Sequence, residues 1–347
     1  MGSENQQYVV EDEIAAFFSK TSILRESCDA LARELVDGDQ VVPVAVQGAC
    51  SYTVYAGPNL GHVVQFRLKT LGLKVETAAL ARQVFNTLAP DVSFKQQLGE
   101  DCTIPGREPL LVNVMARLLS GLSFRCRKNL MQDVARFFAL AWKAPQEVGR
   151  TDCDCMAEIF QKELQMLLIA LPDQLHPIIR ATLASLPSIF SLPMVLLHKD
   201  FGDCNIIVEE ESCHLVGVID WAEAEIGPFG TNLHSLQSLM SKLDLRKGRI
   251  RYEDYDDLAR SFWETLSGEV GGLRDNTTRS IKAAMVLGLL RSRGFTSRLA
   301  NEPEARPIRN DDSGRYNMMI LDGLLLNPAT RFEGLEEWLN GMDTEHE

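Results

Sequence analysis

No run in this chain approaches the roughly eighteen consecutive apolar residues that a membrane-spanning helix needs, and no C-x-x-C pair, H-E-x-x-H motif, internal repeat or low-complexity tract occurs. Each absence excludes a class. The eight cysteines are scattered, and Cys153-Asp154-Cys155 is spaced too tightly for the usual zinc pattern, so it reads as a reduced segment and not as a metal knuckle. The six histidines form no zinc constellation either, which leaves metal chemistry to oxygen ligands. Basic charge is also short: 35 Lys and Arg stand against 48 Asp and Glu, a net charge of −13, which argues against nucleic acid and against an anionic membrane surface as partners. The start Met1-Gly2-Ser3-Glu4-Asn5 has neither a charged n-region nor an apolar h-region, so a cytoplasmic protein is expected.

What is present is a chain of 347 residues, 45% of them hydrophobic, too long for one core and rich enough for two. Its most informative stretch is His198-Lys199-Asp200-Phe201-Gly202-Asp203-Cys204-Asn205, flanked by the apolar runs Pro193 to Leu197 and Asn205 to Val208. The octet therefore reads as a loop between short strands. After the polar cluster Glu209-Glu210-Glu211-Ser212, a third apolar run from His214 to Ile219 delivers Asp220, fifteen positions beyond Asn205. A hairpin then returns Asp220 beside Asp200. Two carboxylates held that close repel unless cations are bound between them. An imidazole, two carboxylates and an amide at this spacing supply what phosphoryl transfer asks of a protein: an acceptor for the attacking hydroxyl's proton and oxygen ligands for Mg²⁺.

The H-x-D-x-x-x-x-N octet followed by Ile219-Asp220-Trp221 resembles the aminoglycoside phosphotransferase and choline kinase-like superfamily, and the flavour of the two motifs looks like its fungal branch. The resemblance implies an α+β, bilobal protein-kinase-like fold, with a small N-terminal mixed-sheet lobe and a larger, mainly helical C-terminal lobe. It implies that Asp200 is the catalytic base, that His198 braces the loop, that Asn205 and Asp220 hold Mg²⁺, and that ATP phosphorylates a hydroxyl of a small molecule. The letters Asp200-Phe201-Gly202 match the metal-binding triplet of protein kinases, but their place directly after His198-Lys199 makes them the catalytic loop. No long activation segment with A-P-E follows Asp220, which speaks against a protein substrate.

Upstream, the same resemblance asks for a nucleotide lobe, and candidates occur in order. Val41 to Val46 and Tyr52 to Tyr55 read as strands around the small-residue turn Gln47 to Ser51, where Gly48 and Ser51 would cover the phosphates. On the next strand, His62 to Leu68, Arg67 takes the cation position, with Lys69 as a rival and Glu76 as its acidic partner at the start of a helix from Glu76 to Thr87. The run Leu110 to Arg117 would end in a hinge whose backbone at Met115 and Arg117 meets the adenine.

The expected division is 1–116, N-terminal helices plus nucleotide lobe, and 117–347, a helical lobe with the catalytic loop and substrate site. Apolar spacing of three and four predicts helices within Asp12 to Val36, and at Leu130 to Trp142, Met156 to Leu171, Ile178 to Leu186, Leu233 to Leu243, Tyr252 to Leu266, Thr277 to Leu290 and Tyr316 to Leu325. Asp203, Glu223 and Glu225 near the mouth hint at an amine-bearing acceptor. The family's G-D-P-x-x-D-L reads here Gly227-Pro228-Phe229-Gly230-Thr231-Asn232-Leu233, without its two acids, so the alternative is a kinase-like binder of nucleotide or metabolite that transfers nothing.

Overall fold

A computed structural model of the protein describes residues 8–101, 108–116, 127–296, 305–309 and 311–343. The chain divides into two compact units, Met1–Leu119 with Leu299–Asn301, and Ser120–Arg298 with Glu302–Glu347. The α+β class expected from the sequence holds: an antiparallel sheet lies in the first unit and helices dominate the second.

In the first unit, α1 (Val10–Phe18) and α2 (Arg25–Val36) precede β1 (Val41–Pro43), β2 (Ser51–Ala56) and β3 (His62–Leu68). Helix α3 (Val75–Phe85) then leads to β4 (Val92–Leu98) and β5 (Leu110–Ala116), and the sheet order is β1-β2-β3-β5-β4. The period of two decides the two faces. Tyr52, Val54 and Ala56, Val64, Phe66 and Leu68, and Leu110, Val112 and Val114 pack with Ile14 and Phe17 of α1 and Cys28, Ala32 and Val36 of α2 into one core. Burying each large side chain there contributes roughly 1.5–3 kcal/mol. The alternate residues place Ser51, Thr53, Gln65, Arg67 and Asn113 on the opposite face, because the register pairs Ser51 with Arg67 and Gln65 with both Thr53 and Asn113. Strand β1 ends at Pro43 rather than at Val46: the Val44 N–H still donates to the Thr53 carbonyl at 3.1 Å, but the return bond from the Thr53 N–H goes to a side chain. The Gln47 side chain takes over the pairing: its Nε2 donates to the carbonyls of Val44 (3.2 Å) and Thr53 (2.9 Å), and its Oε1 accepts from the Thr53 N–H (2.9 Å).

The second unit opens with α4 (Arg127–Lys143), α5 (Arg150–Ala170), α6 (His176–Ala184) and α7 (Leu186–Phe190). Short strands β6 (Met194–Leu197), β7 (Ile206–Val208), β8 (Leu215–Val218) and β9 (Glu225–Pro228) follow, with β6 paired to β9 and β7 to β8, both antiparallel. The helix expected over Leu233 to Leu243 is cut short. A 3-10 turn over Leu233–Leu236 runs into α8 (Gln237–Met240), and then β10 (Ser241–Asp244) and β11 (Gly248–Arg251) form a hairpin. The cause is local: Asp244 Oδ1 accepts from the N–H groups of Arg246 and Lys247 at 2.8 and 2.9 Å, and Gly248 supplies φ +81° to close the turn. The helix expected from Tyr252 is α9 (Tyr255–Glu269), and α10 (Asp275–Arg293), α11 (Arg315–Leu321) and α12 (Leu335–Asp343) complete the unit. Among the described residues, no helix is long and apolar enough to cross a membrane.

Candidate active site

The octet lies between β6 and β7, and backbone bonds fix its path: the Phe201 N–H donates to the His198 carbonyl (3.3 Å) and the Asn205 N–H to that of Gly202 (3.0 Å). The end of β8 is tied to it, because the Ile219 N–H donates to the Asn205 carbonyl at 2.9 Å. His198 is 2% exposed, and its Nε2 bonds to the Ile219 carbonyl at 2.7 Å, so one imidazole bridges the 198–205 loop and the segment that carries Asp220. Burial pushes its pKa down, with the Ile219 carbonyl and the Asp220 and Asp200 charges pulling back weakly; a neutral ring donating from Nε2 satisfies both facts.

Asn205 Nδ2 donates to the Asp200 carbonyl at 2.7 Å and to Asp200 Oδ2 at 3.0 Å. With both acceptors on the nitrogen side, the amide is oriented and its Oδ1 is not spent on Asp200. Asp220 follows β8 in the left-handed region, φ 62° and ψ 64°, a conformation aspartate tolerates better than most side chains, and its carboxylate is exposed. Asp200 is exposed as well. The set Asp200, Asn205 and Asp220 is therefore two carboxylates and one amide oxygen, hard donors suited to Mg²⁺. Among the described residues, no group of three or more His, Cys, Asp and Glu forms a metal cluster.

The loop is anchored by aromatics that motif reading passes over. Phe201 is 3% exposed, stacked on Phe137 (centroids 5.5 Å apart) and edge-on to Phe138 (5.1 Å), both from α4. Trp221 packs edge-on against His198 at 4.7 Å and donates from Nε1 to the Val218 carbonyl at 2.9 Å, which makes it core and not a ligand contact. Where the family has an acid, the buried Asn232 donates from Nδ2 to the His198 carbonyl at 3.4 Å, so a hydrogen-bonded brace exists without a charge. That segment lies close to α10: a Cβ placed on Gly288 would stand 1.5 Å from the Thr231 carbonyl oxygen.

Of the acids read as substrate contacts, Asp203 is exposed on the loop and Glu223 half-buried in the 3-10 turn Trp221–Glu223. Glu225 is already engaged: Lys199 Nζ lies 3.2 Å from its Oε2 and Arg291 Nη1 4.0 Å from its Oε1. Sequence reading missed Arg291, since nothing in the spacing links α10 to the octet.

In the first unit, the ladder sets Ser51 beside Arg67. Ser51 Oγ shares hydrogen bonds with Thr53 Oγ1 (3.2 Å) and Gln65 Nε2 (3.4 Å). The turn before it is pinned by Lys20 Nζ on the Ala49 carbonyl (3.2 Å) and by the Gln47 clamp, while the Gly48 and Ala49 N–H groups meet no acceptor among the described residues. Arg67 is 5% exposed and donates from Nε to the Leu71 carbonyl at 2.9 Å and from Nη1 to Gln65 Oε1 at 3.4 Å. Glu76 is exposed in the first turn of α3 and makes no ion pair among the described residues, because Arg67 is turned toward the segment joining β3 to α3. Lys69, the rival cation, is held by Asp101 at 2.7 Å. Met115 is half-buried on β5, and Arg117 lies outside the described residues. A further residue on this face escaped the motif reading. Asn113 is 1% exposed, and neither its Nδ2 nor its Oδ1 has a hydrogen-bond partner.

Residues 122–260 match the model described as the phosphotransferase enzyme family. No curated protein matches the chain. Among solved structures, the ADP-bound aminoglycoside phosphotransferase APH(2'')-Ib superposes with a TM-score of 0.48 at 16% identity, over 77% of this chain and 88% of that one. The gentamicin complex of APH(2")-IIa gives 0.48 at 17% identity, over 78% and 88%. The aminoglycoside phosphotransferase APH(3'')-Id from Streptomyces rimosus gives 0.44 at 12% identity, over 77% and 99%. Across residues 122–260, which contain both motifs, the chain is similar to the phosphotransferase enzyme family, as the resemblance read from those motifs implied.

Proposed function

We propose that the protein is an ATP- and Mg²⁺-dependent phosphotransferase that moves the γ-phosphoryl group to a hydroxyl of a small molecule. The observation that carries the reading is the Asn205 amide on Asp200, which fixes the carboxylate and leaves the amide oxygen unspent on Asp200. Asp200 accepts the hydroxyl proton as the new oxygen–phosphorus bond forms and the bond to the ADP oxygen breaks, and ADP leaves with the electron pair. Asn205 Oδ1 and the Asp220 carboxylate would hold the metal, which neutralises charge on the phosphates. His198 moves no proton. It fixes the spacing between the loop and the Asp220 segment through Ile219. Gly48, Ser51, Arg67, Glu76, Met115 and Arg117 are the proposed nucleotide contacts, and the N–H groups of Gly48 and Ala49, which meet no acceptor among the described residues, are the strongest support among them, since unsatisfied amides in a turn can receive phosphate oxygens.

The alternative, a binder without transfer, draws on the absent acids after Asp220, but the Asn232 bond to the His198 carbonyl restores a brace and favours the enzyme. The test is ATP consumption over a library of hydroxyl compounds. Turnover lost in both Asp200→Asn and Asp220→Ala, with unchanged thermal melts, supports the proposal; full turnover in either variant overturns the mechanism, and Mg·ATP binding without any turnover favours the binder.

A further inference from the structure

The acids at the loop's edge do not stand alone. Lys199 leaves β6 directly before Asp200, and Glu225 opens β9 opposite Leu197, so the antiparallel register sets the two side chains together at 3.2 Å. The second oxygen of Glu225 faces Arg291 Nη1 at 4.0 Å. Arg291 is itself held, with Nε on Glu163 Oε2 at 2.6 Å and its guanidinium carbon 3.6 Å from the centre of the Phe160 ring. Charges alternate along this row, Lys199, Glu225, Arg291, Glu163, and sum to zero. Its inner half is largely shielded, with side-chain exposures of 16% for Arg291 and 14% for Glu163; its outer half is accessible, with 34% for Lys199 and 41% for Glu225.

Resting on the phosphotransferase reading, we propose that Lys199 determines acceptor charge: its ammonium occupies the place at Glu225 that a substrate ammonium would take, so the enzyme rejects polycationic acceptors and phosphorylates an uncharged alcohol. An incoming amine would have to displace Lys199 from Glu225 and then lie beside the displaced cation, gaining one charge contact and adding one repulsion. Asp203 and Glu223 make no ion pair among the described residues and attract any cation equally in every variant, so a comparison at Lys199 and Glu225 isolates the effect.

The experiment is isothermal titration of kanamycin, used as a polycationic hydroxyl compound, into the wild-type protein, Lys199→Met, Glu225→Gln and the double variant, with melts to confirm folding and Lys199→Gln replacing the Met variant if that one does not fold. Removing the lysine is expected to tighten kanamycin binding by about tenfold, the scale of one freed and partly screened charge contact. The double variant is expected to return to the wild-type value, and Glu225→Gln alone, which leaves Lys199 and Arg291 without their shared acid, to bind no more tightly than wild type. No gain in the Lys199 variant, or a gain that persists in the double variant, overturns the proposal. Binding is read here and turnover is read with Asp200→Asn, so the two ideas fail separately.

Discussion

The Asn205 side chain donates both of its N–H bonds to Asp200, one to the backbone carbonyl and one to the carboxylate, across five residues of loop. This single amide sets the rotamer of the proposed base and aims its own oxygen away from it. Asn205→Asp keeps the size and removes both donors, placing a carboxylate 3 Å from another. Misplacement on this scale costs about a hundredfold in rate. Steady-state kinetics of the variant are expected to show kcat reduced by about that factor with the melt little changed, and a variant within a few fold of wild type would remove the amide from the mechanism.

Two buried histidines make stability depend on pH. His234 is pushed down to about 3 by burial, with the nearby Arg293 charge adding to the effect, and burial depresses His198 as well. The native rings stay neutral where the unfolded chain takes up protons, below about pH 6.5. The His234 contribution is therefore fully present above that pH and is lost as the pH falls from there toward 3, at about 1.4 kcal/mol per pH unit, and the burial of His198 acts in the same direction. Urea titrations at pH 7.5, 6 and 5 are expected to show the midpoint falling only below about 6.5, and His234→Gln to flatten the dependence. A midpoint independent of pH across this interval contradicts it.

The geometry of the candidate loop was legible because it is carried by local spacing: five residues from Asp200 to Asn205, and a hairpin from Asn205 to Asp220. Contacts that close over long separations were not. Arg291 reaches Glu163 from 128 positions away, and Asn232 reaches the His198 carbonyl from 34. Phe201 was read only as a letter in a misleading triplet, although its burial against Phe137 and Phe138 is what holds the loop down. The helix expected through Leu243 failed for a different reason. Its apolar spacing is compatible with either period, and the Asp244 turn with Gly248 decides for a hairpin.

Asn113 carries a cost that the fold of the first unit does not offset. A buried amide with neither group bonded loses about 1–3 kcal/mol of desolvation. Asn113→Leu, close in shape, is expected to raise the urea midpoint by the equivalent of about 1 kcal/mol. If the amide meets a nucleotide base on this polar face of the sheet, the same variant also weakens Mg·ATP binding in a thermal-shift titration. A lowered midpoint would mean that the amide is satisfied in solution, and that the gain expected here is wrong.

Gly288 is the tightest approach in the second unit. Helix α10 meets the backbone at Thr231 so closely that a Cβ at position 288 would lie 1.5 Å from its carbonyl oxygen, a contact no side-chain rotation relieves because both partners are backbone-fixed. On the Thr231 side the chain is constrained too, since the preceding Gly230 has φ +98° and its own Cβ would meet the Ile281 carbonyl at 3.0 Å. Elsewhere in a helix, Gly→Ala stabilises by up to about 1 kcal/mol. Here the sign reverses, because either α10 or the 230–232 segment must move, an overpacking cost of about 1–3 kcal/mol. Moving that segment also draws Asn232 away from the His198 carbonyl, so Gly288→Ala is expected to lower both the melting temperature and kcat, with KM for ATP unchanged. A conventional surface-helix glycine, Gly268, has nothing within 4 Å of its Cβ position and supplies the control: Gly268→Ala is expected to stabilise and to leave kcat alone. Equal behaviour of the two alanine variants would show that the close approach is not a feature of the folded chain.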